Sequence, residues 1–203
     1  STGVVTVNDN AALNYEAAQS CTITVRATSQ DSSTADTTFS IAVTDHDEFD
    51  VGAPSDTDAD ANTLAEDAAN GASAEITASS SDADGTTNTI TYSVTAQSCA
   101  SVFAVGSSSG VVTVADNTNL NYEVATSCTV QITATSADSS TAATTFTVTL
   151  TDVDESDVTT PTDSNNAANT VPENSAATTT VGLTASASDA DGTTNTIAYA
   201  IIA

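Results

Sequence analysis

Ser81-Asp82-Ala83-Asp84-Gly85-Thr86-Thr87-Asn88-Thr89-Ile90 returns almost unchanged as Ser188-Asp189-Ala190-Asp191-Gly192-Thr193-Thr194-Asn195-Thr196-Ile197. Asp82 to Asp189 is a step of 107 residues, and the same step separates Leu13 from Leu120, Cys21 from Cys128, Phe39 from Phe146 and Glu66 from Glu173. Self-similarity at a fixed period marks a tandem array in which each repeat is one structural unit. Residues 1 to 50 match 108 to 157, and 62 to 96 match 169 to 203. The chain is therefore expected to hold the back part of one repeat over 1–46, a complete repeat over 47–153 and the front part of a third over 154–203.

Within a repeat the apolar residues alternate. Cys21, Ile23, Val25 and Ala27 share one face of a run, and Cys128, Val130, Ile132 and Ala134 share the same face of its copy. Phe39, Ile41 and Val43 alternate likewise, matched by Phe146, Val148 and Leu150, and Ile90, Tyr92 and Val94 form a third such series. A period of two places these residues on the core face of strands, with β-branched Thr on the solvated face. Gly3-Val4-Val5-Thr6-Val7 and its copy Gly110–Val114 read as a further short strand after a turn. Residues 50–62, rich in Asp, Ala, Ser and Thr, read as an extended linker. No helical period is sustained. About seven short strands per repeat of roughly 100 residues predict an all-β chain of tandem Greek-key β-sandwiches of the immunoglobulin-like class.

The chain carries 27 acidic residues against one base, Arg26, for a formal charge of −26. Nucleic acid is excluded as a partner, because phosphate binding requires Lys and Arg. No run of about 18 apolar residues offers a membrane span, and Ser1-Thr2-Gly3-Val4-Val5 has no basic leader. Export would therefore use a signal outside this chain. Two readings of the acid apply together: a solvated surface suited to salty water, and ligands for divalent cations at the positions that recur. The Asp-Ala-Asp-Gly turns are not EF-hands, since the twelfth position from Asp82 is Ser93 where a bidentate Glu is needed. With one His and one base, no nucleophile and base set recurs. His46 falls where the copy has Val153 and reads as an exposed bystander. The acid pairs follow the repeat, and a catalytic pair would not occur once per domain, so no enzyme is expected.

At this point the residues resemble a cadherin repeat, in the bacterial form found in very long surface proteins. Leu13-Asn14-Tyr15-Glu16 and Leu120-Asn121-Tyr122-Glu123 are similar to the family's Leu-Asp-x-Glu motif. Val171-Pro172-Glu173-Asn174 and, more loosely, Leu64-Ala65-Glu66-Asp67 resemble its Pro-Glu-Asn. Asp82-Ala83-Asp84 and Asp189-Ala190-Asp191 match its Asp-x-Asp, and Thr44–Glu48 and Thr151–Glu155 sit where the family carries its acidic linker. The resemblance implies calcium between consecutive domains. It assigns Glu16, Asp45, Asp47, Glu48, Asp82 and Asp84 to a first junction. Glu66, Glu123, Asp152, Asp154, Glu155, Asp189 and Asp191 fall to a second, with Glu173 serving a later one. Three departures stand out: Asn14 and Asn121 replace an Asp, the linkers lack Asn, and Ala27-Thr28-Ser29 and Ala134-Thr135-Ser136 lack the family's Asp. They imply fewer ions per junction than in animal cadherins.

Cys99 and Cys128 lie in one complete repeat. A bond between them would close a loop of about 30 residues and add on the order of 3 kcal/mol. The alternative is two buried thiols. Cys21 has no mate at the expected phase. The function these features imply is mechanical: an extracellular, calcium-stiffened stalk or filament subunit of a bacterial surface. Its partners would be neighbouring repeats or copies of itself, joined head to tail, with strand complementation as one route and a longer covalent array as the other. The alternative is a surface binding module gripping a carbohydrate or protein at the sandwich tips.

Overall fold

The structure is a computed structural model that describes residues 2–202. The alternating threonine and aliphatic residues form twelve strands. They are β1 (Ser20–Thr28), β2 (Thr34–Ala42), β3 (Ser55–Asp56), β4 (Thr63–Ala65), β5 (Ser73–Ser79), β6 (Thr91–Gln97), β7 (Phe103–Val105), β8 (Val111–Val114), β9 (Ser127–Thr135), β10 (Thr141–Thr151), β11 (Thr162–Asp163) and β12 (Ala185–Ser186). Among the described residues the one helical element is a 3-10 turn at Asn117–Asn119, capped by the Asp116 side chain, which accepts from the Thr118 N–H. Among the described residues no helix is long and apolar enough to cross a membrane.

Strands β3 to β10 build two four-stranded sheets, ordered β4-β10-β9-β6 and β3-β5-β8-β7. The long β9–β10 hairpin runs in register from Ser127 opposite Thr149 to Thr135 opposite Thr141. β6 flanks it with Tyr92 opposite Ala134, and β4 lies parallel to β10 with Leu64 opposite Leu150. The period of two does what the sequence predicts. Cys128, Val130, Ile132 and Ala134 are fully buried, as are Ala74, Ile76 and Val112 across the interior. Each face alone would leave this apolar area in water, so neither sheet is stable without the other. Cys99 and Cys128 are disulfide-bonded, with Cα atoms 5.5 Å apart.

Three features differ from the sequence reading. First, the segment expected as a bare linker contains β3, so the central sandwich has eight strands. Asp56 Oδ1 accepts the N–H groups of Asp58 and Thr77, both at 3.0 Å, and pins this polar stretch to β5, while Val51 and Pro54 are buried beside it. Second, the β1–β2 hairpin keeps the register of β9–β10, pairing Cys21 with Ile41 as Cys128 pairs with Val148. Its inward residues are nonetheless uncovered: Val25 is 38 %, Ile41 41 % and Phe39 50 % exposed, because among the described residues no second sheet faces them. Third, Val4–Val7 is no strand, although its copy is β8. β8 is held between β5 and β7, and Val4–Val7 pairs with no strand among the described residues. Strand propensity without a pairing partner does not make a strand.

The disulfide constrains the unfolded chain across 29 residues. Replacing both cysteines by Ser is expected to lower the unfolding free energy of the central domain by about 3 kcal/mol. Denaturant unfolding followed by far-UV circular dichroism measures this.

Candidate metal centres

Strand ends deliver the acids. β2 runs into Asp45, Asp47 and Glu48, and β10 runs into Asp152, Asp154 and Glu155. Asp82 and Asp84 lie in the loop after β5, and Asp189 and Asp191 in the corresponding loop after β12. Glu66 follows β4, while Glu16 and Glu123 sit in the turns that precede β1 and β9. Each sandwich end therefore meets the acid loop of the unit that follows it.

At the first junction a carboxylate oxygen from each of Glu16, Glu48 and Asp84 lies within 4.8 Å of the others. Asp47 and Asp84 form a second such group with Asp138. The Glu48 N–H donates to Asp84 Oδ1 at 3.2 Å, and the Thr86 hydroxyl donates to Asp45 Oδ2. Asp82 Oδ1 accepts the Asp84 N–H at 3.1 Å. At the second junction Glu66, Glu123 and Asp152 converge in the same way. The N–H groups of Glu155 and Ser156 donate to Asp191 Oδ1, both at 3.1 Å, the Thr193 hydroxyl donates to Asp152 Oδ2, and Asp189 Oδ1 accepts the Asp191 N–H at 3.4 Å. Glu66 is buried and staples three segments: it accepts the Tyr122 N–H at 2.6 Å and the Val153 N–H at 2.8 Å.

One property sets these acids apart from the rest of an acidic surface. Asp84 is 1 % exposed and Asp191 2 %. Asp84 Oδ2, Asp82 Oδ2 and Asp45 Oδ1 at the first junction are buried with no hydrogen-bond partner, and so are Asp191 Oδ2 and Asp152 Oδ1 at the second. Buried carboxylate oxygens normally have a donor. No Lys or Arg serves them: the single one, Arg26, is exposed on β1 and makes a bidentate pair with Asp36 at 2.7 Å. An all-oxygen donor set with this much negative charge fits a hard divalent cation.

Crowding shows in the ionisation of the linker acids. The close approach of the Asp84 side chain raises the Asp47 carboxyl to about 6, helped by desolvation and by the charge of Asp138. Asp154 is raised by the close approach and then the charge of Asp191. Burial, then the charges of Glu16 and Asp84, push Glu48 up; burial, then Glu66 and Glu123, push Glu155 up.

Of the acids expected at junctions, Glu16, Asp47, Glu48, Asp84, Glu66, Glu123 and Asp152 join these three-carboxylate groups, while Asp45, Asp82, Asp154, Glu155, Asp189, Asp191 and Glu173 join none of them. His46 is exposed, its Nδ1 near the Asp47 carbonyl. Other participants were not read from the sequence. Asp138, two residues beyond the Ser136 that replaces an expected ligand, brings a carboxylate to Asp47 and Asp84. Only the fold of the β9–β10 turn reveals it. Thr86 and Thr193 orient Asp45 and Asp152. Gly85 lies under the Tyr15 ring, where an added Cβ would stand 2.6 Å from Cδ1, and Gly192 meets Tyr122 at the same distance. The exact recurrence of the Gly and the Tyr was the available signal for this contact.

Residues 61–151 match the family model of the Cadherin domain. The fold is cadherin-like. Extracellular cadherin domains 1–4 of protocadherin gamma B7 superpose with a TM-score of 0.68 at 19 % identity, covering 89 % of this chain and 43 % of that structure. Domains 22–24 of mouse cadherin-23 give 0.67 at 23 % identity, covering 88 % and 56 %. The chain thus spans about half the length of the cadherin structures it matches. No curated protein sequence matches it.

The raised linker acids set a pH dependence for the metal-free protein. A carboxyl whose folded value lies above its unfolded 3.8 contributes stability below that pH, and the contribution is lost as pH rises through the folded value, about 6 for Asp47. In chelator, thermal stability is expected to fall between about pH 4 and 6.5. Asp47→Asn should flatten that slope in differential scanning calorimetry.

Proposed function

We propose that this chain is part of an extracellular, calcium-stiffened stalk or filament of a bacterial surface, with calcium bound at each junction between cadherin-like units. The observation that carries the reading is the set of buried, unpartnered carboxylate oxygens that recurs at both junctions. Calcium takes six to eight oxygens at about 2.3–2.6 Å and tolerates irregular geometry, which suits acids gathered from two units. The bacterial setting rests on the sequence resemblance to long surface proteins.

In this reading the units are 1–46, 47–153 and 154–203. Glu16, Asp45, Asp47, Glu48, Asp82 and Asp84, joined by Asp138, hold ions at the first junction. Glu66, Glu123, Asp152, Asp154, Glu155, Asp189 and Asp191 hold them at the second. The chemistry is mechanical rather than catalytic. Without the ion, like charges at the join repel and the units swing; with it, acids from both sides share one cation and the join becomes a strut. Units stacked in this way transmit load along one axis. Neighbouring repeats, or copies of the chain joined head to tail by strand complementation, continue the stalk.

Calorimetric calcium titration combined with small-angle X-ray scattering tests the reading. Binding with release of protons, and a longer, stiffer particle than in chelator, is the expected result. Asp84→Asn should remove the heat of the first junction alone and Asp191→Asn that of the second. Gly85→Ala, which forces the Tyr15 ring aside, should weaken the first junction about tenfold, the low end for a supporting contact at a metal site. Absence of binding at about millimolar calcium, the affinity range of extracellular modules, would overturn the reading.

A further inference from the structure

The solvent face of the sheet β4-β10-β9-β6 takes no part in the junctions, and its composition differs from that of the remaining surface. Every outward residue of β9 and β10, over Ser127–Thr135 and Thr141–Thr151, is Thr, Ser, Ala or Gln. Thr91, Ser93 and Thr95 extend the face along β6, and Thr63 extends it along β4. Hydroxyl contacts tie neighbouring strands together: Thr95 Oγ1 lies 2.9 Å from Thr133 Oγ1 and donates to Gln131 Oε1 at 3.0 Å. Among the described residues this face carries no charged side chain, in a chain with 27 acids. The opposite sheet is not so spared, since Glu75 stands outward on β5.

The β1–β2 hairpin repeats the pattern on the side away from Ile23 and Val25, where Thr24 Oγ1 lies 2.9 Å from Thr38 Oγ1. It departs at one cross-strand pair. Arg26 stands opposite Asp36 where the central sheet sets Thr133 opposite Ala143. Asp36 is the one acid among the outward residues of β1 and β2, and the one Arg of the chain neutralises it through two bonds of 2.7 Å. Strand propensity accounts for threonine at such positions. It does not place the single base of a chain opposite the single acid of a face. Both faces are neutral as a result.

We infer that two copies of the chain meet side by side through these neutral threonine faces. Each copy carries a formal charge of −26, so contact is opposed wherever acids meet acids. Nine paired residues make the β9–β10 hairpin about 30 Å long. Its middle, at Gln131 and Thr145, is therefore about 15 Å from the acids beyond its ends, Asp138 and Asp152. That exceeds the screening length of about 8 Å at physiological ionic strength, so repulsion is weakest there. Threonine donates, accepts and offers a methyl group, which makes the face complementary to a second copy of itself. Four strands give it an area of roughly 600 Å², short of the roughly 800 Å² per partner of a standard interface. One contact is accordingly weak, and its repetition in successive repeats supplies the strength. The pairing is lateral. It uses neither the junction ions nor the chain ends, and it gathers stalks into bundles.

Sedimentation velocity of the whole chain in calcium, over a range of protein and sodium chloride concentrations, tests the inference. Reversible association that strengthens as salt rises is expected, because screening removes the repulsion and no ion pair crosses the contact. Thr147→Asp, at an exposed outward position of β10, should weaken association at least about tenfold, the low end for like charges brought together. Thr147→Asn has the same shape without the charge and should associate like wild type. Arg26→Thr leaves Asp36 uncompensated and should weaken association in the same direction. Adding Asp36→Ala, which gives the first hairpin the residues of the second at this pair, should restore it. A wild-type chain that stays monomeric at every salt concentration, association that salt weakens, or Thr147→Asp associating like wild type would overturn the pairing. Capture of a neutral polysaccharide by a chain that remains monomeric would assign the face to a glycan and overturn it as well. The calcium heats of all four variants should match wild type, so the junction reading and the lateral contact can fail independently.

Discussion

Negative charge gathered where no internal cation can reach it is the constraint on which the arrangement turns. Twenty-seven acids share one arginine, and that arginine is committed to Asp36 on an exposed hairpin. The acids at the sandwich ends include oxygens withdrawn from water and left without donors. Leaving such atoms unpaired is costly, and a cation from solution would remove that cost. The rest of the structure can be understood as a scaffold that brings those oxygens together twice, at the same place in successive units.

The scaffold does this by simple means. Strands with a period of two build a sandwich whose interior is aliphatic, and whose strand ends therefore emerge together at one edge. Acids placed immediately after β2, β4 and β10 are carried to that edge without further machinery. The Asp-Ala-Asp-Gly loop of the next unit meets them, and its glycine leaves room for the tyrosine of the preceding unit. Apolar packing sets distances inside the central sandwich, and acidic groups gather beyond its strand ends. The two can be altered separately.

Much of this was legible in the sequence because it is repeated. Alternation identified the core faces of β9 and β10, and recurrence at a fixed step picked out Asp84 and Asp191, both of which are buried. What the sequence did not disclose depends on partners. Val4–Val7 has the composition of its copy β8 yet forms no strand, and Val25 and Ile41 follow the core pattern yet lie open, because burial belongs to a pair of sheets and not to one hairpin. Asp138 was hidden for a related reason: its approach to Asp47 and Asp84 comes from the path of the β9–β10 turn, which no local spacing encodes. β3 was hidden because two residues pinned by Asp56 leave no periodic signature.

Calcium at the junctions requires the unpartnered oxygens of Asp84 and Asp191 to be ligand atoms. A crystal structure grown in calcium, with anomalous scattering to identify the ion, tests it most directly. The account predicts a calcium peak within about 2.3–2.6 Å of Asp84 Oδ2 and another at the same distance from Asp191 Oδ2. Those oxygens bonded instead to ordered water or to a protonated neighbouring carboxyl, with no anomalous peak at either junction, would contradict it.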